Sequence, residues 1–274
     1  MKKKIQTAVR VPVFRVVMLA ISLMVLPSFT IAARFLSTDS TVSTPMGAET
    51  AEAQAAGVAL RPATVTRTAT RTVTRGAFDM DEWDDVELGN VDKKVFKMAL
   101  SAARCAVKNG VTSNPKTLTV IDYSKPSTAN RFWVFDLGKR ELMYEELVAH
   151  GQGSGANFAT MFSNEPETHR TSIGLFVTDD TYVGRNGYSL RLNGLDRGFN
   201  DRARERAIVM HGAPYVSAAF VKAQGRLGRS HGCPALREAV AREVIDTVKG
   251  GSLVFSYYPD KDWMKSSKYL GDCD

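Results

Sequence analysis

The sequence predicts a mainly β fold, a single β-rich domain with one helix before its strands and one helix near its end. Seven short runs rich in β-branched and aromatic residues are separated by Gly, Asn, Asp and Pro. Two other stretches place apolar residues at the three- and four-residue steps of an amphipathic helix. The folded part is long enough to bury one sizeable core.

The individual elements follow from these patterns. The N-terminal helix is predicted at residues 91–109, with an apolar stripe that includes Cys105 and with Asn109-Gly110 as its stop. The C-terminal helix is predicted at residues 237–248. The strands are predicted at residues 117–122, 131–137, 142–150, 172–178, 188–192, 207–211 and 252–258, and "DLGKRE" is typical of a hairpin turn.

The start of the chain predicts export. Basic residues precede an uncharged apolar run at residues 16–33, which is the pattern of a signal peptide. The run is also long enough to remain as an anchor, so the inner membrane is an expected partner only if residues 1–33 stay uncleaved. Either way the rest of the chain is expected in the periplasm or cell envelope.

Composition separates a linker from the folded domain. Residues 34–77 are rich in Thr and Ala without a period of large apolar residues, which predicts a disordered linker before a domain at residues 78–274. The formal net charge is +7, but five basic residues lie in the export segment, so its removal leaves 31 minus 29, or +2. The basic excess is therefore mostly targeting signal, and no nucleic acid partner is expected.

A glycine-rich turn contains the candidate nucleophile Cys233, in the run Gly-Arg-Ser-His-Gly-Cys-Pro-Ala-Leu at residues 228–236. A thiol reacts as thiolate, which nearby cations and helix N-termini favour. Arg229, His231 and a helix opened by Pro234 are each expected to favour the thiolate. Gly232 allows a tight turn and the close approach of a substrate. The alternative is an inert, buried loop cysteine.

The candidate base is His211, which ends the apolar run Ala-Ile-Val-Met-His-Gly and lies 22 residues before Cys233. Cysteine acyl transfer needs a base that takes the thiol proton and later returns it to the leaving amine. A rigid strand end can hold an imidazole in place. His231 is expected to shape the turn, because only Gly232 separates it from the nucleophile.

Together these motifs resemble the murein L,D-transpeptidase catalytic domain family, the YkuD-like cysteine transpeptidases. The resemblance spans about residues 118–236, and the interval from His211 to Cys233 is longer than is usual in the family. It implies a YkuD-like β-rich catalytic domain. The matching segments are "LTVIDYSKPS", "RFWVFDL", "LVAHGQGSG", "ATMFSN", "SLRLNGLDRGFN", "IVMHGAPYV" and "GRSHGCPAL".

The resemblance also implies a two-step acyl transfer on peptidoglycan stem peptides. Cys233 would attack the bond between the L-centre of a diaminoacid and D-alanine, and the thioester would pass to an amine of another stem, a wall-attached protein or water. Carbapenem-type β-lactams are expected to acylate the same thiol, and no cofactor is required. The same site would serve an L,D-carboxypeptidase or a hydrolase that detaches wall proteins.

Substrate-binding and oxyanion-stabilising groups are expected next to the nucleophile. Backbone amides around Gly232 and the neighbouring nucleophile are the oxyanion candidates. His150 opens a glycine-rich segment that resembles a family His-Gly segment, which predicts a wall of the substrate groove; a strand end followed by a flexible loop is the alternative. The other expected contacts are Ser230, His231, Arg229 and Gly212.

Two other classes of protein stay open. Zinc has acceptable ligand types here, although no paired-ligand spacing is present. A non-catalytic peptidoglycan-binding domain is the other alternative, against which an intact Cys-His pair argues. The zinc ligands would be His150, His211, His231 and Cys233.

Several further residues have two interpretations. Cys105 and Cys273 either form a disulfide or leave Cys273 unpaired near the chain end. Arg191 and Asn193 either hold a substrate carboxylate or pair with Asp196. The polar neighbours of His169 predict a solvated surface position.

Overall fold

The computed structural model describes residues 75–113, 115–271 and 273. The predicted export segment and most of the predicted linker lie outside these residues. The helices are α1 (Lys93–Lys108), α2 (Ala218–Gln224), α3 (Glu238–Val248) and α4 (Lys261–Ser266). The strands are β1 (Thr117–Asp122), β2 (Phe132–Asp136), β3 (Glu141–Glu146), β4 (Gly174–Gly184), β5 (Gly187–Gly194), β6 (Val209–Gly212), β7 (Ala235–Leu236) and β8 (Leu253–Tyr257). Short 3-10 turns occur at Arg75–Phe78, Met80–Trp83 and Gln152–Ser154.

Eight strands form one mixed sheet in the order β3-β2-β1-β8-β4-β5-β6-β7. Neighbouring strands are antiparallel except for two parallel pairs, β1 with β8 and β6 with β7. Just after β3, Ala149 forms an isolated antiparallel bridge with Ala235 of β7. The two outer strands of the order therefore approach each other, and the sheet curls into a nearly closed barrel.

The central strands β1 and β8 separate two apolar clusters. Successive residues of a strand point to opposite faces. Val120 and Phe255 accordingly belong to the cluster that includes α1, whereas Ile121 and Val254 belong to the cluster that includes α3. Both helices thus bury their apolar faces against the sheet, as their spacing predicts.

Helix α1 starts where its sequence supplies a cap. The carboxylate of Asp92 accepts hydrogen bonds from two backbone N–H groups of the first turn, at 2.8 and 3.1 Å. In the buried face of the helix, the ring of Phe96 lies 5.0 Å from that of Trp83 and 4.5 Å from that of Phe135. A disulfide joins Cys105 to Cys273, so the chain end is tied to α1.

The predicted β-rich fold with an early and a late helix is confirmed, and each predicted strand is present. The strand predicted at residues 142–150 ends at Glu146, whereas that predicted at 172–178 continues to Gly184. The helix expected to open at Pro234 is wrong: the chain forms β7 there, because Ala235 and Leu236 pair with β6, and α3 begins only at Glu238. No helix in the described ranges is long and apolar enough to cross a membrane.

Candidate active site

The nucleophile turn lies against the strand that contains the candidate base. Strands β6 and β7 pair with His211 opposite Ala235, and the segment before β7 continues beside the start of β6. The Val209 N–H points at the Cys233 Sγ at 3.5 Å, and that thiol faces the Ala207 carbonyl at 3.7 Å. The thiol is therefore held by the backbone of the base strand.

Two glycines make this packing possible. Gly232 has a φ of +119°, and a Cβ there would lie 2.8 Å from the Arg170 carbonyl oxygen. Gly151 packs directly on the turn, because its own Cβ would lie 2.8 Å from the Gly232 Cα and would overlap the His169 carbonyl. A side chain at either position would displace the residues that hold the thiol.

Ser230 braces the turn from within. Its Oγ accepts a hydrogen bond from the Gly232 N–H at 3.1 Å and donates one to the Cys233 carbonyl at 2.6 Å. The Gly232 amide, predicted as an oxyanion donor, is thus already engaged. Among the described residues no hydrogen bond uses the Cys233 amide, which leaves that amide as the available donor in the turn.

The surroundings of Cys233 favour the neutral thiol. Cys233 is only 7% exposed, and burial raises the pKa of its thiol, while the Val209 N–H and the charge of Arg206 act in the opposite direction. The predicted lowering by a helix N-terminus is absent, because β7 follows the turn. For this sulfur to act as a nucleophile, a base would first have to remove the proton.

His211 has the protonation state that such a base needs. Burial lowers its pKa, and the Gly212 carbonyl partly offsets the effect. Its Nδ1 lies 2.8 Å from the Gly212 oxygen, and only a protonated nitrogen can donate to a carbonyl. The proton is therefore assigned to Nδ1, and the lone pair to Nε2. In the described part of the chain, no hydrogen bond joins His211 to the thiol.

His231 has a different environment. Its ring stacks on that of His169, with centroids 4.1 Å apart and planes 10° apart. The Gln152 side chain amide donates to the His169 Nδ1 at 2.8 Å. His169 was predicted as a solvated surface residue. It instead packs on the nucleophile turn, and its own carbonyl lies against Gly151.

His150 does not line a groove, and that prediction is wrong. The residue is fully buried, its Nδ1 lies 2.8 Å from the Arg131 Nη2, and burial with the nearby Arg131 charge lowers its pKa to about 3. Arg131 is itself buried and donates to the Val148 carbonyl at 2.8 and 3.0 Å. The pair fixes the chain after β3, and the His150 carbonyl then accepts from the Ser230 N–H at 3.0 Å.

Arg229 and Gly212, which were predicted as substrate contacts, instead contact the backbone around the site. The Arg229 guanidinium donates to the Gly155 carbonyl at 2.9 Å and so fixes the 3-10 turn after Gly151. Gly212 supplies the carbonyl that orients the base, and a Cβ there would lie 3.0 Å from the Ala241 Cβ. Both residues therefore position other parts of the site.

Two alternatives from the sequence find no support in the geometry. Across residues 75–113, 115–271 and 273, no three His, Cys, Asp or Glu side chains are grouped so that they could hold a metal ion, so the zinc interpretation has no ligand set. The pairing of Arg191 and Asn193 with Asp196 is also wrong. Arg191 lies 4.0 Å from the centre of the Tyr182 ring, and Asn193 donates to Asp179 at 3.1 Å.

A cavity of about 250 Å³ lies beside the nucleophile turn. Its lining includes His231, His169, Ala207 and Arg206. Sequence analysis did not single out Arg206, since it lies in the polar segment before β6 and only the fold brings it to the site. The thiol and the oriented imidazole suit cysteine-based acyl transfer, and the cavity borders their turn through His231.

The chain is similar to several solved structures. An L,D-transpeptidase from Mycobacterium smegmatis is 18% identical, with a TM-score of 0.33, over 53% of this chain and 60% of that one. An L,D-transpeptidase in complex with imipenem is 18% identical, with a TM-score of 0.32, over 52% and 59%. The helical cell shape determining protein Pgp2 from Campylobacter jejuni is 13% identical, with a TM-score of 0.35, over 63% and 60%.

The chain therefore covers about three fifths of the length of these solved structures. A search of the curated proteins returned no match. The decisive comparison is the family model for the L,D-transpeptidase catalytic domain, which matches residues 87–257, more than half of the chain and all eight strands. The chain belongs to the L,D-transpeptidase catalytic domain family.

Proposed function

We propose that this protein transfers acyl groups between peptidoglycan stem peptides, with Cys233 as the nucleophile and His211 as the base. One observation carries the proposal. The Cys233 thiol lies against the backbone of strand β6, which contains His211, and the Gly212 carbonyl orients that imidazole with Nε2 unprotonated. A neutral thiol and a neutral imidazole are the resting states that general-base activation needs.

The first half-reaction forms a thioester. His211 takes the proton of Cys233, and the sulfur attacks the carbonyl that joins the L-centre of a diaminoacid to D-alanine. The amide of Cys233 would stabilise the oxyanion, whereas the Gly232 amide is engaged by Ser230. Losing an oxyanion donor typically costs about 10²–10³ in rate. The protonated imidazole then gives its proton to the leaving D-alanine amine.

The second half-reaction decides which enzyme this is. An amine of a neighbouring stem gives a cross-link, an amine of a wall protein gives attachment, and water gives an L,D-carboxypeptidase or a detaching hydrolase. All of these use the same thioester. The accessible volume beside the turn, about 250 Å³, supports an amine acceptor because it offers space for a group larger than water.

We also propose an exported location. The basic and apolar pattern of residues 1–33 is the signature of an export signal. The disulfide between Cys105 and Cys273 supports it, because disulfides persist in oxidising compartments. This pairing leaves Cys233 as the free thiol among the described cysteines. Acylation by carbapenem-type β-lactams at that thiol follows from the proposed mechanism.

Mass spectrometry of defined muropeptides tests the function. The full-length chain is incubated with a tetrapeptide muropeptide, with and without an amine acceptor, beside Cys233→Ala. We expect release of D-alanine, a new amide when the amine is present, and neither product from Cys233→Ala. Hydrolysis alone would identify a carboxypeptidase, and turnover by Cys233→Ala would refute the proposed nucleophile.

A further inference from the structure

The 250 Å³ cavity borders the nucleophile turn, because His231 of that turn lines it. Ala207 lines it, and the carbonyl of that residue is the group that the Cys233 thiol faces at 3.7 Å. Small-molecule sites usually measure about 300–1,000 Å³, so this cavity suits a ligand smaller than a drug, such as one amino acid.

Arg206 provides a fixed positive charge in the cavity wall. Its guanidinium donates to the Ser163 carbonyl at 2.6 Å, to the Arg170 carbonyl at 2.7 Å and to the Ser172 hydroxyl. A guanidinium has five N–H donors, so the Nε–H and one Nη2–H remain available. The three acceptors are uncharged, and they hold the side chain without neutralising it.

The acidic residues nearby do not neutralise this charge. Glu205 also lines the cavity, but both its oxygens are taken by Arg202, at 3.1 and 2.9 Å. No ion pair within the described ranges uses Arg206. Glu167 lines the same cavity and is exposed. A ligand in the cavity would therefore meet the guanidinium of Arg206, which has free donors, and the carboxylate of Glu167.

The proposed function brings two α-amino carboxylates to the thioester, one in each half-reaction. The residue that leaves in the first half-reaction is D-alanine, an amine next to a carboxylate. The amine that attacks in the second half-reaction, at the D-centre of a diaminoacid, is also next to a carboxylate. Both half-reactions therefore place an α-amino carboxylate on the same side of the thioester carbon.

We propose, resting on the proposed function, that this cavity is a single site for α-amino carboxylates, in which Arg206 binds the carboxylate. The leaving residue occupies it first and the attacking amine occupies it second. Guanidinium is suited to the role because its planar fork binds carboxylates through two parallel hydrogen bonds. Glu167 draws the ammonium end into the same cavity.

The transfer step conserves atoms and charge. The acceptor ammonium loses one proton to solvent and becomes a neutral amine, whose nitrogen attacks the thioester carbon. The C–N bond forms and the C–S bond breaks, with the electron pair returning to sulfur. The nitrogen then loses a second proton, which His211 passes to the Cys233 sulfur. The products are an amide, a free thiol and one proton in solution.

The test compares an acid acceptor with its amide. The full-length chain receives a tetrapeptide donor with isotope-labelled terminal D-alanine, together with unlabelled D-alanine or D-alaninamide. Charge-assisted hydrogen bonds to a carboxylate predict that the wild type incorporates D-alanine roughly 10–100-fold faster than D-alaninamide. Arg206→Gln should lose that preference when the two acceptors compete for the same thioester, and it should also release the labelled D-alanine more slowly, because the same guanidinium binds the leaving residue. Arg206→Lys should keep part of the preference.

Arg204→Gln is the matched control. Arg204 lies two positions away, is exposed and pairs with Asp179, so its loss should leave the preference unchanged. Because Arg206 also fixes two loops, thermal melting and alkylation by neutral iodoacetamide report folding and thiol reactivity separately. If Arg206→Gln does not fold, the inference is tested by the ratio of D-alanine to D-alaninamide incorporation in the wild type and in Arg206→Lys.

Equal use of the acid and the amide by the wild type overturns the inference, as does an unchanged acid-to-amide ratio in a folded Arg206→Gln when both acceptors compete. These results would leave the proposed function intact, because the donor is still consumed. A wild-type chain that never releases the labelled D-alanine overturns the proposed function itself, and the inference with it.

Discussion

Replacing Gly151 with alanine tests whether the nucleophile turn depends on its contact with a distant glycine. The φ of Gly151 is −66°, an ordinary value, so the change acts through space alone. The new Cβ would lie 2.8 Å from the Gly232 Cα and would overlap the His169 carbonyl, and both obstacles are backbone. Overpacking of this kind costs about 1–3 kcal/mol of unfolding free energy. In a domain of this size that lowers Tm by about 2–12 °C.

The effect on reactivity should exceed the effect on stability. The turn must move to admit the methyl group, and a displacement of about 1 Å at a reacting group costs roughly 10²-fold in rate. We expect this loss in stopped-flow acylation of Gly151→Ala by a carbapenem, with thermal melts measured in parallel. Gly76→Ala is the control, since a Cβ there makes ordinary contacts at 3.7 Å, and it should stay within about 0.5 kcal/mol of wild type. Wild-type acylation and melting of Gly151→Ala would refute the packing argument.

The remaining predictions concern the thiol, the two histidines and the disulfide. Because burial raises the pKa of the Cys233 thiol above its ordinary 9.0, ultraviolet thiolate absorbance should be absent at pH 7 and should grow only above pH 9; a thiolate at neutral pH would indicate an ion pair with His211 instead. His211→Ala should slow acylation by about 10²–10⁴, whereas His231→Asn, which only loses ring stacking, should lose less and melt lower; the reverse order in stopped-flow experiments would exchange their roles. Reducing the bond between Cys105 and Cys273 should lower the unfolding free energy by about 2–5 kcal/mol while acylation persists, and an unchanged denaturation midpoint would contradict this.

Sequence analysis predicted the elements whose signal is local. The alternating and apolar runs predict the strands, and the stripe ending near Cys105 predicts α1. Strand β7 was missed, because its two residues carry no measurable alternation and the run after Pro234 resembles a helix start. Its identity as a strand depends on pairing with β6, a contact that no sequence period encodes.

The residues of the candidate site were likewise predicted where the signal is local and not where it depends on distant contacts. Cys233 and His211 were predicted because each lies in a short motif with a chemical reason for its composition. Arg206 was not singled out, since the carbonyls that hold it beside the turn, at Ser163 and Arg170, lie more than thirty positions away. His150 was misassigned because a histidine before glycines is typical of a binding loop, whereas its burial depends on Arg131 in another part of the sheet.

The central claim is that Cys233 carries the acyl group. Its most direct test is intact-protein mass spectrometry of the full-length chain quenched during reaction with a tetrapeptide donor, followed by peptide mapping. We expect one added acyl group whose mass equals the donor minus D-alanine, located on Cys233 and removed by hydroxylamine as a thioester. Turnover of the donor with no such adduct in any quenched sample, or an adduct on another residue, would contradict the account.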